Sequence, residues 1–410
     1  MPDPYSRRSF LTGVLASGTA TAGTIYLLPG GRPAPASKPP PDTRLRLATG
    51  QDPSGARTLL IDMWNRANPK TPISLIETPG GSRDERQVMR DLAAAGTVDI
   101  VNLDVIHIPE FAKKGLIAPI KLVNPGEIFE EIKFVNRVPD ATDQYWAAPL
   151  NTDAGMLFDR QPEDDDALEG VSLSGTLAAV PEGSRQFVGQ LNPVQSTSYE
   201  AFVVNVLEHA LSADPTILNP NGTVSRDLGQ WQEALAPLAI AIRQGKVLLS
   251  GNESESRQAF KGRRYMRNWP VQYRELQKQD DVDAKASRIR VSPLKAGILG
   301  GQSIALVARS PHPEVAKQFI DFMTDMPAQK ILASYGLAPA RFDVYDDVDF
   351  KVLAPHLDQL RTAVENTRPR PMNSNYSQFS DAVRVHTRAL LIDRKPLTSE
   401  FIDQIQAALG

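Results

Sequence analysis

The strongest constraint on the fold is an alternation of strand-like and helix-like segments between Arg44 and Gly115. Arg44–Thr49 alternates apolar and polar residues with the period of a strand. Ser54–Asn68 then carries Leu59, Leu60, Met63 and Trp64 at helical spacing before Pro69 stops it. Ile73–Glu77 reads as a second strand, Arg83–Ala95 as a second helix ended by Gly96, and Val98–Leu103 as a third strand. Ile108–Lys114 follows as a short helix with Gly115 behind it. A βαβαβα order requires crossover connections, so it predicts an α/β fold with a parallel sheet covered by helices. Ligands in such folds sit beyond the carboxyl ends of the strands. Gly50-Gln51-Asp52 and Asp104 fall just there.

The stretch Ala147–Arg160 (AAPLNTDAGMLFDR) places Asn151, Thr152 and Asp153 between two apolar runs, with Gly155 supplying a free backbone. Two readings stand at this point: a cleft or crossover, or an ordinary turn whose Asn and Asp satisfy local backbone groups. Further on, Ser198–Leu211 and Arg226–Gln244 read as helices split by the turn Asn219-Pro220-Asn221-Gly222. Ile289–Pro293 and Ser303–Ala308 read as strands flanking Gly297–Gly301. Glu314–Thr324, Gln378–Leu391 and Leu397–Leu409 have helical period.

Several function classes lose support. The five histidines are isolated, no phosphate-cradling glycine loop or G-x-S-x-G elbow is present, and Glu163–Asp166 reads as a solvated loop because carboxylates in a row rarely converge. No catalytic residues, metal site or cofactor are expected. In Ala259–Tyr273 the basic residues Lys261, Arg263, Arg264 and Arg267 interleave with Phe260, Tyr265, Trp269 and Tyr273, superficially a nucleic-acid surface. A formal net charge of −3 and the lack of a recognised module argue against that, and Trp269 reads as core or as a platform lining a cleft.

The 410 residues predict two or three domains, and the chain has no cysteine. Disulfides, thiolate metal sites and a lipid-carrying cysteine are thereby excluded. Ser6-Arg7-Arg8-Ser9-Phe10-Leu11 is a twin-arginine pattern before a weakly apolar run, so residues 1–28 are expected to be a twin-arginine export signal or an N-terminal anchor. Residues 29–42, dominated by Gly and Pro, read as a linker.

In order along the chain, ATGQDPSG, DIVNLDVIHIPEFAKKGLIAPI, APLNTDAGMLFDR, FKGRRYMRNWPVQY, LGGQSIALVARSPHPEVAKQFIDFM and RPRPMNSNYSQFS resemble the extracellular solute-binding proteins of bacterial ABC sugar importers, in particular the trehalose/maltose-type branch. The resemblance implies a two-lobed periplasmic-binding-protein-like fold of type II. Residues 43–150 and 300–326 would form one lobe, and residues 151–299 and 327–410 the other. Crossings are expected near Leu150–Asp153 and Gly297–Gly301. It implies a carbohydrate ligand, permease subunits as partners, a monomer, no nucleic acid and an extracellular or cell-surface location. By the same likeness Asp52, Asp104, Asn151 and Asp153 would bond sugar hydroxyls, with Trp269 as a platform beside Tyr273. Gly300 and Gly301 would admit the ligand to the backbone, and Arg370 would reach in from the second lobe. A sugar offers many hydroxyls and weakly apolar faces, so ionised acceptors, a donor fork and an aromatic plane suit it. The chain departs from its relatives at His107, Gln302 and Ser303, where they carry Trp, Trp and Asn. Rival readings are a surface protein that has lost its ligand and a glycoside hydrolase, which would need two carboxylates about 5–10 Å apart.

Overall fold

The computed structural model describes residues 43–78, 82–160, 170–192, 199–280, 289–354 and 356–410. The expected export signal, the linker and the acidic run Glu163–Asp166 lie outside these residues. The early alternation is realised as β1 (Leu45–Thr49), β2 (Ile73–Glu77), β3 (Ile100–Asp104) and β4 (Ile117–Ala118), separated by the helices Ala56–Ala67, Ser82–Ala95 and Ile108–Lys113. β1 runs parallel to both β2 and β3, as the crossovers require.

Two sheets share the remaining strands: β5 (Ala148–Ala154), β6 (Met156–Asp159), β7 (Phe187–Gly189), β8 (Val247–Leu249), β9 (Tyr265–Asn268), β10 (Arg290–Pro293), β11 (Gly297–Val307) and β12 (Thr367–Arg368). The seven-stranded sheet has the order β12-β11-β3-β1-β2, with β4 and β5 also paired to β11. The five-stranded sheet has the order β10-β6-β9-β7-β8. Only Gly155 separates β5 from β6, and a short link separates β10 from β11, so the chain changes sheet twice at adjacent places. β5 and β11 pair there, Asp153 opposite Gly300 and Thr152 opposite Gly301.

One open alternative closes and one local expectation is corrected. Asn151–Asp153 do not form a turn; they are strand residues, because pairing to β11 satisfies the backbone that a turn would have had to satisfy locally. Gly297–Gly301 is not a break between strands but the first half of β11, extended by the same pairing.

Gly155 has a packing reason to be glycine. A Cβ there would lie 2.8 Å from Arg267 Nη2 and overlap the Glu208 carboxylate. Both partners are fully buried, and Arg267 Nη2 donates to Glu208 Oε1 at 2.7 Å. The basic and aromatic run Ala259–Tyr273 therefore does not form one surface, since Phe260 and Arg267 both point inward.

One face of the first sheet packs Leu60, Ile61 and Trp64 against Phe319, Ile320 and Met323. Ile331 and Leu332 join that cluster, so the helix Met326–Ser334 packs on the first lobe rather than the second. Its Gln329 ties it there, donating to Leu150 O at 2.6 Å and accepting from Ala340 N at 2.7 Å. The helices Tyr199–Ala213, Leu228–Arg243, Tyr376–Leu391 and Ser399–Leu409 build the second lobe around Phe202, Leu207, Trp231, Phe379 and Phe401.

Candidate functional site

A cavity of about 270 Å³ opens between the lobes. From the first lobe it is lined by the loop after β1 and by Asp104 at the end of β3, the carboxyl-end placement that parallel strands dictate. The paired β5 and β11 form its floor, and Glu200, Glu253, Trp269 and Arg370 enter from the second lobe.

Eight of the expected residues, Asp52, Asp104, Asn151, Asp153, Trp269, Gly300, Gly301 and Arg370, border this one cavity. Tyr273 does not. It lies on the helix Val271–Asp280, which turns it away from Trp269 to meet the His356 ring with centroids 4.6 Å apart.

The acids differ sharply in what they already hold. Asp52 is engaged on both oxygens: Oδ1 accepts from Ser54 N at 3.0 Å and from Ser54 Oγ, and Oδ2 accepts from Arg57 N at 3.0 Å. Burial alone would raise its pKa, but the Arg57 guanidinium and these hydrogen bonds outweigh it and hold the carboxyl below its usual value. Asp104 Oδ1 accepts from Arg370 Nη2 at 3.1 Å. Arg370 Nη1 also donates to Glu200 Oε2 at 3.2 Å. Asp153 stands apart, since its Oδ1 is closed to solvent and has no hydrogen-bond partner among the described residues. Burial first, then the negative charges of Asp104 and Glu253, push its carboxyl up to about 7 against the pull of Arg267.

Trp269 is half-buried. Its Nε1 donates to Glu253 Oε1 at 3.3 Å, and the Arg267 guanidinium lies 4.0 Å from its ring centroid. The ring is thus a platform backed by the buried Arg267–Glu208 pair, fixed at its polar edge and open to the cavity.

The two glycines have a packing role in the cavity walls. Gly301 has φ +116°, and a Cβ there would lie 2.6 Å from Thr152 Cα and overlap the Asn151 carbonyl. A Cβ on Gly300 would lie 3.1 Å from Asp153 Cβ and 3.3 Å from the Trp269 ring. Their missing side chains let β5 and Trp269 close against β11.

Of the three departures, only Gln302 reaches the cavity. Asn102 Nδ2 donates to Gln302 Oε1 at 2.8 Å, and Arg57 Nη1 donates to the same oxygen at 3.4 Å. Ser303 is buried in the sheet, and His107 lies in the turn Val105–His107, outside the lining. Burial, aided by Arg86 and Arg370 and opposed by Asp104, lowers the His107 imidazole to about 4, so it is neutral near pH 7.

Sequence reasoning passed over Arg57, Glu200 and Glu253. Arg57 left a signal, because it precedes Leu60, Ile61 and Trp64 on the same helical stripe, and a cation on a buried face needs anionic partners. Glu200 and Glu253 left none, since each opens a helix where an acid is ordinary.

Two α/β lobes linked by adjacent crossing strands, with a polar cavity lined from both, define a two-lobed ligand-binding fold. The chain belongs to the family of bacterial extracellular solute-binding proteins, which residues 48–330 match. Among solved structures it is similar to the maltose-bound MalE3 of T. maritima, at 24% identity over 90% of this chain and 99% of that one, with a TM-score of 0.73. A solute-binding protein from Thermotoga lettingae TMO bound with α-D-tagatose is 15% identical over 90% of this chain and 100% of its own, with a TM-score of 0.72. The sugar-binding MalE of Xanthomonas citri is 17% identical over 89% and 96%, with a TM-score of 0.70. At these identities the likenesses establish a shared fold.

Proposed function

We propose that this protein is the extracytoplasmic substrate-binding component of an ABC transporter, taking a sugar such as trehalose or maltose into the interlobe cavity and delivering it to membrane permease subunits. The observation that carries this reading is the convergence on one cavity of an aromatic plane, Trp269, with Asp104, Asp153 and the forked donor Arg370. Ionised and buried acceptors take hydroxyl donors, the guanidinium answers hydroxyl oxygens, and the indole covers the apolar face of a pyranose. The family match and the sugars held by MalE3 and the Thermotoga lettingae protein support it. The protein acts as a monomer, without cofactor and without altering its ligand. The Arg7-Arg8 pattern supports export by the twin-arginine route to the extracellular side.

A thermal-shift screen over mono- and disaccharides tests the binding role. A sugar at about a hundred times its Kd adds about 2.7 kcal/mol to stability, a clear rise in melting temperature. No shift with any sugar would overturn the reading. Recovery of bound oligosaccharides or aryl glycosides unhydrolysed checks the non-enzymatic role. Replacing Arg7 and Arg8 by Lys checks the route, with the protein expected to stay in the cytoplasm.

A further inference from the structure

The cavity holds more negative charge than its own cations answer. Arg57 answers Asp52, and Arg370 is shared by Asp104 and Glu200. Asp153 and Glu253 are left without an ion-pair partner among the described residues. The guanidinium that acts on Asp153, on Arg267, is already spent: Nε and Nη2 both donate to Glu208, and Nη1 donates to Gln190 Oε1 at 3.1 Å. Both free acids border the same ring. Trp269 Nε1 donates to Glu253 Oε1, while the far edge of the indole lies over Gly300, whose strand partner is Asp153.

From this juxtaposition we infer that the ligand carries a protonated amine, an ammonium-bearing sugar whose charge is met by Asp153 and Glu253 from opposite edges of the Trp269 ring. The inference rests on the carbohydrate reading and narrows it. A neutral hydroxyl offers one proton to a carboxylate and leaves the negative charge in place. An ammonium offers three donors and cancels charge that the cavity otherwise leaves uncompensated. The indole adds a surface favourable to a cation, and Glu208 neutralises the guanidinium behind it.

The test compares matched sugars by calorimetry at pH 7, where the amines are protonated, on the wild-type chain: glucose against glucosamine and 6-amino-6-deoxyglucose, trehalose against 6-amino-6-deoxytrehalose, and the chitosan disaccharide against its di-N-acetyl form. At least one amine should bind about tenfold or more tighter than its hydroxyl or N-acetyl counterpart. In Glu253→Gln and Asp153→Asn that ratio should fall towards one, whatever happens to absolute affinity. Circular dichroism on each variant confirms that it is folded. Neutral sugars binding as well as every amine would overturn this inference and leave the carbohydrate reading intact. A preference that survives in both variants would also overturn it. Failure of all the sugars to bind would overturn both.

Discussion

Arg370 joins Asp104, at the carboxyl end of β3, to Glu200, on the first turn of the helix Tyr199–Ala213, through guanidinium contacts of 3.1 and 3.2 Å. Arg370 is 3% exposed, so its pairing with Glu200 is made largely out of water, while the Asp104 side chain at the other end is 33% exposed. Tyr376 and Ser380 complete it by donating to Glu200 at 3.0 and 2.7 Å.

Replacing Arg370 by Met should therefore cost far more than a surface ion pair. It leaves Glu200 buried against hydroxyls alone, and breaking a buried pair from one side costs about 3–5 kcal/mol. Arg370→Lys should recover only part of this, because a compact ammonium lacks the two spaced nitrogens with which the guanidinium reaches both carboxylates. Urea unfolding of the three proteins measures the series, and equal midpoints would refute the bridge.

Trp269→Ala should act mainly on binding. The ring is half-buried and faces the cavity, so its loss should weaken sugar affinity by about 1–3 kcal/mol, with a stability loss below the 3–5 kcal/mol typical of a core aromatic. Calorimetric affinity and melting temperature on one variant separate the two effects.

Gly301→Ala should destabilise the unliganded protein by roughly 2 kcal/mol or more, combining a positive φ with a Cβ forced against β5. Gly183→Ala is the control, since it shares a positive φ of 71° but meets nothing within 4 Å. A cost at Gly301 no larger than at Gly183 would show that β5 yields easily.

Asp153 sets a pH dependence of stability. Its carboxyl sits near 7 in the folded chain against an ordinary 3.8, under the influence of Asp104, Arg267 and Glu253 and in electrostatic contact with Tyr345. Between these values the folded state holds the extra proton, so the stabilising contribution is complete below about pH 4 and is lost as pH rises through about 7. Asp153→Asn should remove that loss, making the unliganded variant more stable than wild type by roughly 1–3 kcal/mol at pH 8, with the gap closing towards pH 4. Thermal melts at several pH values check the sign; a gap that widens on acidification would contradict it.

Much of the first lobe could be read along the chain. Ile73–Glu77 matches β2 residue for residue, and the helices at Arg83–Ala95 and Glu314–Thr324 are off by one residue at one end. Strand and helix leave periods of two and 3.6 residues in a local pattern, so each element carries its own record. Of the positions that border the cavity, Asp52 and Asp104 were marked by strand ends and Trp269 by its place beside Pro270, while Gly300, Gly301 and Arg370 came from the family resemblance alone.

What each of those side chains does was not local. Asp52 and Asp153 are equivalent as letters, yet one is bound by the helix that follows it and the other is buried with an oxygen left open. Arg267 read as one of four basic residues interleaved with aromatics and is fully buried against Glu208, while Tyr273 was expected beside Trp269 among the ligand-binding residues and faces His356. Of the two readings open for Asn151–Asp153, the crossing strand held and the turn did not, because β11, far along the chain, supplied its partners. Sequence period determines where elements begin and which face they bury. Which charges meet, and which acid keeps an oxygen without a hydrogen-bond partner, depends on the register of strands and the docking of helices from distant segments, and only the tertiary structure decides that.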